Sequence, residues 1–176
     1  GGGRVPDSGH ARVQSLAFPA REAHLALAEG REAVSVAVDA KQRVLLVDAA
    51  GKSLHRLSAG GAPDMAFDAA VAASGQLKQP LFVACDAQDR VLVADGGRNE
   101  GLVFDADRAF AGTLPGGSGW LPGAMAAWGT RLYVADAASG AVELFDAGQR
   151  IGQVQGWRGP VTALAVAEDG TLYIKP

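Results

Sequence analysis

Three aspartates that recur along the chain are the side chains whose type and spacing could do chemistry. Asp48, Asp95 and Asp136 each close an apolar run, at successive intervals of 47 and 41 residues. Carboxylates that converged from such positions could bind a metal ion or act as an acid and a base. The repetition favours a structural role, because a catalytic group is needed once and not in every repeat. We therefore expect each aspartate to accept hydrogen bonds from backbone N–H groups at a strand end. The turn aspartates Asp39, Asp86 and Asp169 receive the same interpretation.

The other side chains with chemical potential form no recognisable pattern. His10, His24 and His55 lack metal-ligand spacing, and we interpret His55 as a half-exposed surface residue on a strand. The single cysteine, Cys85, is interpreted as a small buried apolar residue. The sequence contains no G-x-S-x-G turn, phosphate-binding loop or dinucleotide fingerprint. We therefore predict no catalytic residue, no cofactor and no metal site.

A repeated β-hairpin is the element that must position these residues. Four segments begin at Val34, Pro80, Pro122 and Pro160, and each crosses from one apolar run through a polar turn into a second. A period of about 40 residues is typical of a four-stranded propeller blade. Third and fourth strands are predicted at 102–104 and 109–114, and again at 142–145 and 150–154. The predicted blades are residues 33–79, 80–121, 122–159 and 160–176, the last containing only two strands.

Two segments fit this repeat less well. Residues 1–32 are predicted to supply outer strands of a preceding blade, at Val13–Phe18 and His24–Ala28, although 20–30 also contains good helix formers. Residues 60–80 form a longer linker, which we expect to be a surface excursion with a helical turn at Met65–Ala73.

The stretches "VLVADGGRNEGLVFD" and "LYVADAASGAVELFD" resemble the NHL-repeat family of β-propellers. The resemblance covers about residues 33–176 and implies an all-β fold of about four NHL-like four-stranded blades. The family's frequent Asn-His-Arg tract is replaced by Arg98-Asn99-Glu100 and by Ser139-Gly140-Ala141. Since the last blade is incomplete, we expect a segment of a larger, six-bladed ring. Strands of residues 1–32 closing a four-bladed ring, or other chains completing it, are the alternatives.

In a propeller of this kind, the linkers between blades and the loops after Val-Ala-Asp lie on one face near the central channel. Trp120 and the pair Trp157-Arg158 lie in two such linkers, and Arg98, Asn99 and Glu100 lie in one such loop. For the two tryptophans we favour packing between blades over contact with a ligand. Trp and Arg also anchor protein interfaces, so these six residues are the candidate partner-binding residues.

Composition limits the classes of partner that the chain can bind. A net charge of −3 with scattered Lys and Arg argues against nucleic acid as a partner, and the apolar runs are too short for membrane insertion. We expect a non-enzymatic scaffold that binds a protein partner or other subunits of an assembly. The resemblance also implies alternatives: a metal-dependent lyase or lactone hydrolase, or a carbohydrate- or peptide-binding module with Trp120 and Trp157 as stacking platforms. The stretch "GWRGPVTALAVAEDGTLYIK" resembles propeller segments of phage-tail-like contractile injection systems.

Overall fold

The computed structural model describes residues 33–50, 52–116 and 119–176. The strands predicted within residues 1–32 lie outside the described residues. The described residues form thirteen strands and one helix. Their bounds are β1 Ala33–Val38, β2 Val44–Asp48, β3 Ser53–Leu57, α1 Met65–Ser74, β4 Pro80–Cys85, β5 Val91–Asp95, β6 Glu100–Phe104, β7 Phe110–Thr113, β8 Pro122–Trp128, β9 Arg131–Asp136, β10 Val142–Asp146, β11 Gln149–Val154, β12 Ala163–Val166 and β13 Leu172–Lys175. Within this part of the chain, no helix is long and apolar enough to cross a membrane.

Consecutive strands pair into four antiparallel sheets, which are arranged as the blades of a β-propeller. Blade 1 contains β1–β3, blade 2 contains β4–β7, blade 3 contains β8–β11 and blade 4 contains β12–β13. The first strands of successive blades are neighbours, since β1 contacts β4, β4 contacts β8 and β8 contacts β12. The fold is therefore nearly all β, with the first strands lining up side by side.

The first turn of each hairpin shows why the sequence folds this way. In blades 1 and 2, Asp39 and Asp86 each accept backbone N–H bonds from the residues two and four positions later. Their second oxygens accept Nε of Arg43 and Arg90, at 2.6 and 2.7 Å. Each carboxylate therefore holds its own turn closed, as Asx turns do. These turns lie at the opposite end of the strands from the loops after Asp48 and Asp95.

Two hydrophobic clusters join the first three blades. One lies between blades 1 and 2 and includes Leu45, Val93 and Phe104. The other lies between blades 2 and 3 and includes Leu92 and Phe145. Strand β5 is buried along its whole length because both of its faces pack against a neighbouring blade. Blade 2 is thus the most enclosed part of the described fold.

The segment between blades 1 and 2 contains the helical turn expected at Met65–Ala73, extended into a longer helix that also contributes to the core. Residues 65–74 form a helix, α1, which contacts β3. The helix thus occupies the outer edge of blade 1, the position that a fourth strand takes in blade 2. The helix buries Phe67 and Val71 in the cluster between blades 1 and 2. Arg56 lies beneath it, 2% exposed, with its guanidinium 4.2 Å from the Phe67 ring centroid. The helix thus has an exposed side, with Met65 71% exposed, and a buried side, Phe67 and Val71, which the sequence did not indicate.

Candidate functional site

The loop after each strand-closing aspartate is tied to the linker that enters the same blade. In blade 2, the buried Asp95 carboxylate accepts N–H bonds from Gly97 and Arg98, each at 3.0 Å. It also accepts N–H bonds from Lys78 and Gln79 in the preceding linker, at 2.8 and 3.1 Å. One side chain thus fixes two segments that are distant in sequence.

Asp136 has the same position in blade 3. Its carboxylate accepts the backbone N–H groups of Leu121 and Ala138, each at 3.0 Å, and the Ser139 hydroxyl at 2.6 Å. Burial alone would raise the pKa of Asp136, but these hydrogen bonds outweigh it and hold the pKa below its ordinary value. Asp48, the third member of the predicted set, is fully buried at the equivalent end of β2.

The loop that Asp95 holds and the linker before blade 3 that Asp136 holds border a cavity of about 340 Å³. We call it the rim cavity. Four of the six candidate partner-binding residues line it. Its lining residues are Arg98, Asn99, Glu100, Thr113, Leu114, Pro115, Gly116 and Trp120.

The two charged side chains at the rim cavity pair with each other. Arg98 Nε donates to Glu100 Oε2 at 2.7 Å, and both side chains are partly exposed. Between them, Asn99 is exposed and adopts a left-handed backbone conformation with φ of 55°. Asn tolerates this conformation better than most residues, so the tight turn presents its amide group at the surface. The cavity can therefore offer hydrogen-bond donors and acceptors without excess charge.

Trp120 forms a wall of the rim cavity and is not an exposed platform. It is 6% exposed, and its ring lies 6.0 Å from that of Phe145. The ring also packs against two glycines, since a Cβ at Gly116 or Gly101 would lie 2.1 or 3.1 Å from its carbon atoms. This burial agrees with the packing favoured from the sequence and argues against Trp120 as a carbohydrate-stacking surface. Gly116 is thus a packing residue.

Trp157 and Arg158 do not join the other four residues. They lie in the linker between β11 and β12, outside the lining of the rim cavity. Trp157 is partly buried and Arg158 is exposed. The Nε1 atoms of Trp157 and Trp120 are buried, with no hydrogen-bond partner among the described residues.

A second polar cluster was missed by reasoning from the sequence. Ser53 Oγ lies 3.0 Å from His55 Nε2, and His55 Nδ1 lies 2.8 Å from Asp68 Oδ2. All three residues line a cavity of about 450 Å³ between β3 and α1, which we call the helix cavity. The Ser-x-His spacing on a strand was a usable signal, because residues two apart share a face. Asp68 gave no signal, since its approach depends on the packing of α1.

The described residues do not fit the metal centre that the NHL resemblance implies for some relatives. Within residues 33–50, 52–116 and 119–176, no three His, Cys, Asp or Glu side chains converge to bind a metal ion. His10 and His24 lie outside the described residues. Cys85 is partly buried, and burial raises the pKa of its thiol to about 12, so the thiol is protonated at neutral pH.

No protein-family model matches the chain, and no curated protein matches it. Solved structures do match its fold. Hydrazine synthase of Kuenenia stuttgartiensis matches 88% of this chain with a TM-score of 0.64 and 13% identity, over 45% of its own length. An inactive variant of virginiamycin B lyase from Staphylococcus aureus, with quinupristin, matches 82% with a TM-score of 0.61 and 9% identity, over 48% of its length. A selenomethionine form of that lyase matches 73% of this chain with a TM-score of 0.55 and 9% identity, over 43% of its length.

These matches support a β-propeller fold. The chain spans less than half the length of each matched structure. At this level of identity the similarity concerns the fold alone, and the same fold hosts unrelated functions.

Proposed function

We propose that this chain is a β-propeller scaffold that binds a protein partner through the rim cavity of blade 2. The observation that carries the proposal is that Arg98, Asn99, Glu100 and Trp120 line one cavity next to the Asp95 hydrogen bonds. At this site the proposed role is non-enzymatic recognition. The expected occupant is a loop of the partner that inserts a polar side chain between Arg98 and Thr113.

The rigidity of the surrounding backbone supports this role. Recognition residues commonly lie on loops that a rigid scaffold positions, because an ordered loop loses little entropy on binding. The N–H groups of Gly97 and Arg98, bonded to Asp95, hold the loop, and the N–H group of Leu121, bonded to Asp136, holds the linker that carries Trp120. The polar edge of the cavity remains accessible, since Asn99 and Thr113 are exposed.

We further propose that the blades are NHL-like and belong to a larger, six-bladed ring completed by further residues or other subunits. The sequence repeat supports this assignment, with strand-closing aspartates at equivalent positions in three blades. Membership of a phage-tail-like contractile injection particle is a narrower proposal, which rests on the Ala- and Gly-rich style of residues 156–175.

Site-specific photocross-linking tests the binding proposal. A photoreactive amino acid replaces Thr113, which is exposed at the rim cavity, or Gln88, which is exposed at the opposite end of the strands. The substituted full-length protein is irradiated in its native host, and adducts are identified by mass spectrometry. We expect one protein partner to be captured from position 113, and the adduct to disappear in the Arg98→Ala/Glu100→Ala variant. Capture from position 88 alone, or an adduct that survives loss of Arg98 and Glu100, contradicts the proposal.

A further inference from the structure

We propose that Ser53, His55 and Asp68 form a hydrolytic site in the helix cavity that cleaves a small carboxylic ester with an apolar acyl group. The inference goes beyond the binding role of the rim cavity, and it opposes the sequence-based prediction of no catalytic residue. It depends on residues of blade 1 and not on those of the rim cavity, so either proposal can fail without the other.

The three side chains have the order that nucleophilic catalysis requires. His55 Nδ1 lies 2.8 Å from Asp68 Oδ2, and an N–H at that position donates to the carboxylate. Nε2 of the same tautomer is then the acceptor, and it lies 3.0 Å from Ser53 Oγ. The serine hydroxyl can therefore pass its proton to Nε2, while Asp68 orients the ring and stabilises the imidazolium that forms.

Regular secondary structure holds all three groups. Ser53 and His55 are two residues apart on β3, so their side chains leave the same face of blade 1. Asp68 lies in the first turn of α1, and its Oδ1 accepts the backbone N–H of Arg56 at 3.0 Å. The carboxylate is thus fixed by one oxygen and faces His55 with the other.

The helix itself has an anchor that does not use the His55–Asp68 contact. Asp64 caps α1 by accepting the Phe67 N–H at 3.0 Å, and its other oxygen accepts Arg56 Nη2 at 2.7 Å. The hydrogen bond from Arg56 lowers the pKa of Asp64, so this pair is ionised at neutral pH. The contacts of Ser53 and His55 are therefore not needed to explain how α1 is attached.

The helix cavity suits a small ester. Its volume of about 450 Å³ lies in the range of small-molecule sites. Val71, Ala72 and Leu77 contribute an apolar wall on which an acyl chain can pack. Lys52 also lines the cavity and is exposed, so its ammonium group can approach the negative charge that develops on a carbonyl oxygen.

The reaction balances without any further reagent. Ser53 Oγ bonds to the ester carbonyl carbon as Nε2 of His55 takes the hydroxyl proton, which produces a tetrahedral oxyanion. Collapse of this intermediate expels the alcohol, which takes the proton from Nε2 and leaves an acyl group on Ser53. Water then attacks the acyl carbon while His55 accepts its proton, and Ser53 recovers that proton when the carboxylic acid departs. One ester and one water become one acid and one alcohol.

Covalent labelling with diisopropyl fluorophosphate tests the nucleophile directly. Ser53 Oγ displaces fluoride from phosphorus, and mass spectrometry of the digested protein locates the diisopropylphosphoryl group. We expect labelling of Ser53 in the unmodified protein and its loss in His55→Ala. Ser58, just beyond the other end of β3, is the internal control, since its hydroxyl accepts the Ala62 N–H and has no histidine partner among the described residues.

Hydrolysis of p-nitrophenyl butyrate provides the second readout. We expect Ser53→Ala and His55→Ala each to lower kcat/KM by about 100-fold or more, and Asp68→Asn to lower kcat, whereas Ser58→Ala leaves both unchanged. Circular dichroism and thermal melts identify any variant that fails to fold, and labelling of the unmodified protein decides the proposal without any variant. The proposal is overturned if Ser53 in the folded protein is not labelled, or if its labelling survives loss of His55. Thermal destabilisation of His55→Ala with unchanged hydrolysis also overturns it and assigns the cluster to structure.

Discussion

The backbone N–H of Gln79 lies 3.1 Å from both carboxylate oxygens of Asp95, 16 residues away. This contact joins the linker that enters blade 2 to the strand that ends beside the rim cavity. Because Asp95 is fully buried, water cannot replace the hydrogen bonds that it accepts. The aspartate therefore connects the fold to the surface that we propose for binding.

Removing this carboxylate is expected to reduce stability. Asp95→Ala removes the buried acceptor of four backbone N–H groups, so we expect the free energy of unfolding to fall by about 1–3 kcal/mol. Urea denaturation measures the change. Asp105→Ala is the matched control, because Asp105 closes a more exposed turn and accepts the Ala109 N–H at 2.9 Å. Equal losses for the two variants would show that Asp95 has no special role.

The lowered pKa of Asp136 predicts how the stability of the fold depends on pH. Its pKa in the folded protein lies below the ordinary value of 3.8, so its ionisation stabilises the fold above that pH. The contribution is lost as the pH falls from 3.8 through the folded-state pKa. Urea denaturation from neutral to acidic pH should therefore show a shallower loss in Asp136→Asn than in the unmodified protein. The exposed Asp107 supplies the control, and a pH profile altered equally by Asp107→Asn would exclude this assignment.

Close packing at Gly116 makes a further prediction. An added Cβ would lie 2.1 Å from a carbon of the Trp120 ring, so Gly116→Ala must displace the ring or the linker. Overpacking of this kind costs about 1–3 kcal/mol. Gly152→Ala is the comparison, because a Cβ there meets nothing within 4 Å. Thermal melts and near-ultraviolet circular dichroism of both variants measure the difference, and a native spectrum and melting temperature in Gly116→Ala would refute close packing.

Strand β1 exposes an apolar face. Val34, Val36 and Val38 are 51%, 61% and 54% exposed. Exposed apolar strands favour association with other chains, so we expect the isolated 176-residue chain to self-associate. Light scattering at several concentrations should show less association in Val34→Thr/Val36→Thr than in Ile151→Thr, a control on strand β11. A concentration-independent monomer in the unmodified chain would contradict this expectation.

The strands of blades 2 and 3 were largely predictable, because alternating apolar runs and turn residues repeat there with a regular period. The sequence placed third strands at 102–104 and 142–145, and the structure has them at Glu100–Phe104 and Val142–Asp146. The sequence did not predict that helix α1 buries Phe67, because the core around this residue forms only when the blades pack together. The strand pattern placed Ser53 and His55 on β3, but their partner Asp68 approaches through tertiary packing alone.

The candidate binding residues divide along the same line. Arg98, Asn99 and Glu100 are consecutive in one loop, so their proximity follows from the sequence itself. Trp120 reaches them only because Gly101 and Gly116 leave space for its ring. Trp157 lies in the next linker, at a sequence position similar to that of Trp120. The sequence could not predict how far apart the two linkers lie in the fold.

The most direct test of the rim cavity is the dissociation constant, Kd, for the partner recovered by cross-linking from position 113. Biolayer interferometry compares the unmodified protein with Arg98→Ala/Glu100→Ala at the rim and with Lys41→Ala/Gln88→Ala at the opposite end of the strands. We expect the rim variant to raise Kd by about 30-fold or more, in the range of interface hot spots, and the opposite-end variant to change it by less than about twofold. An unchanged Kd in the rim variant with native circular dichroism, or a greater loss in the opposite-end variant, would contradict binding through the rim cavity.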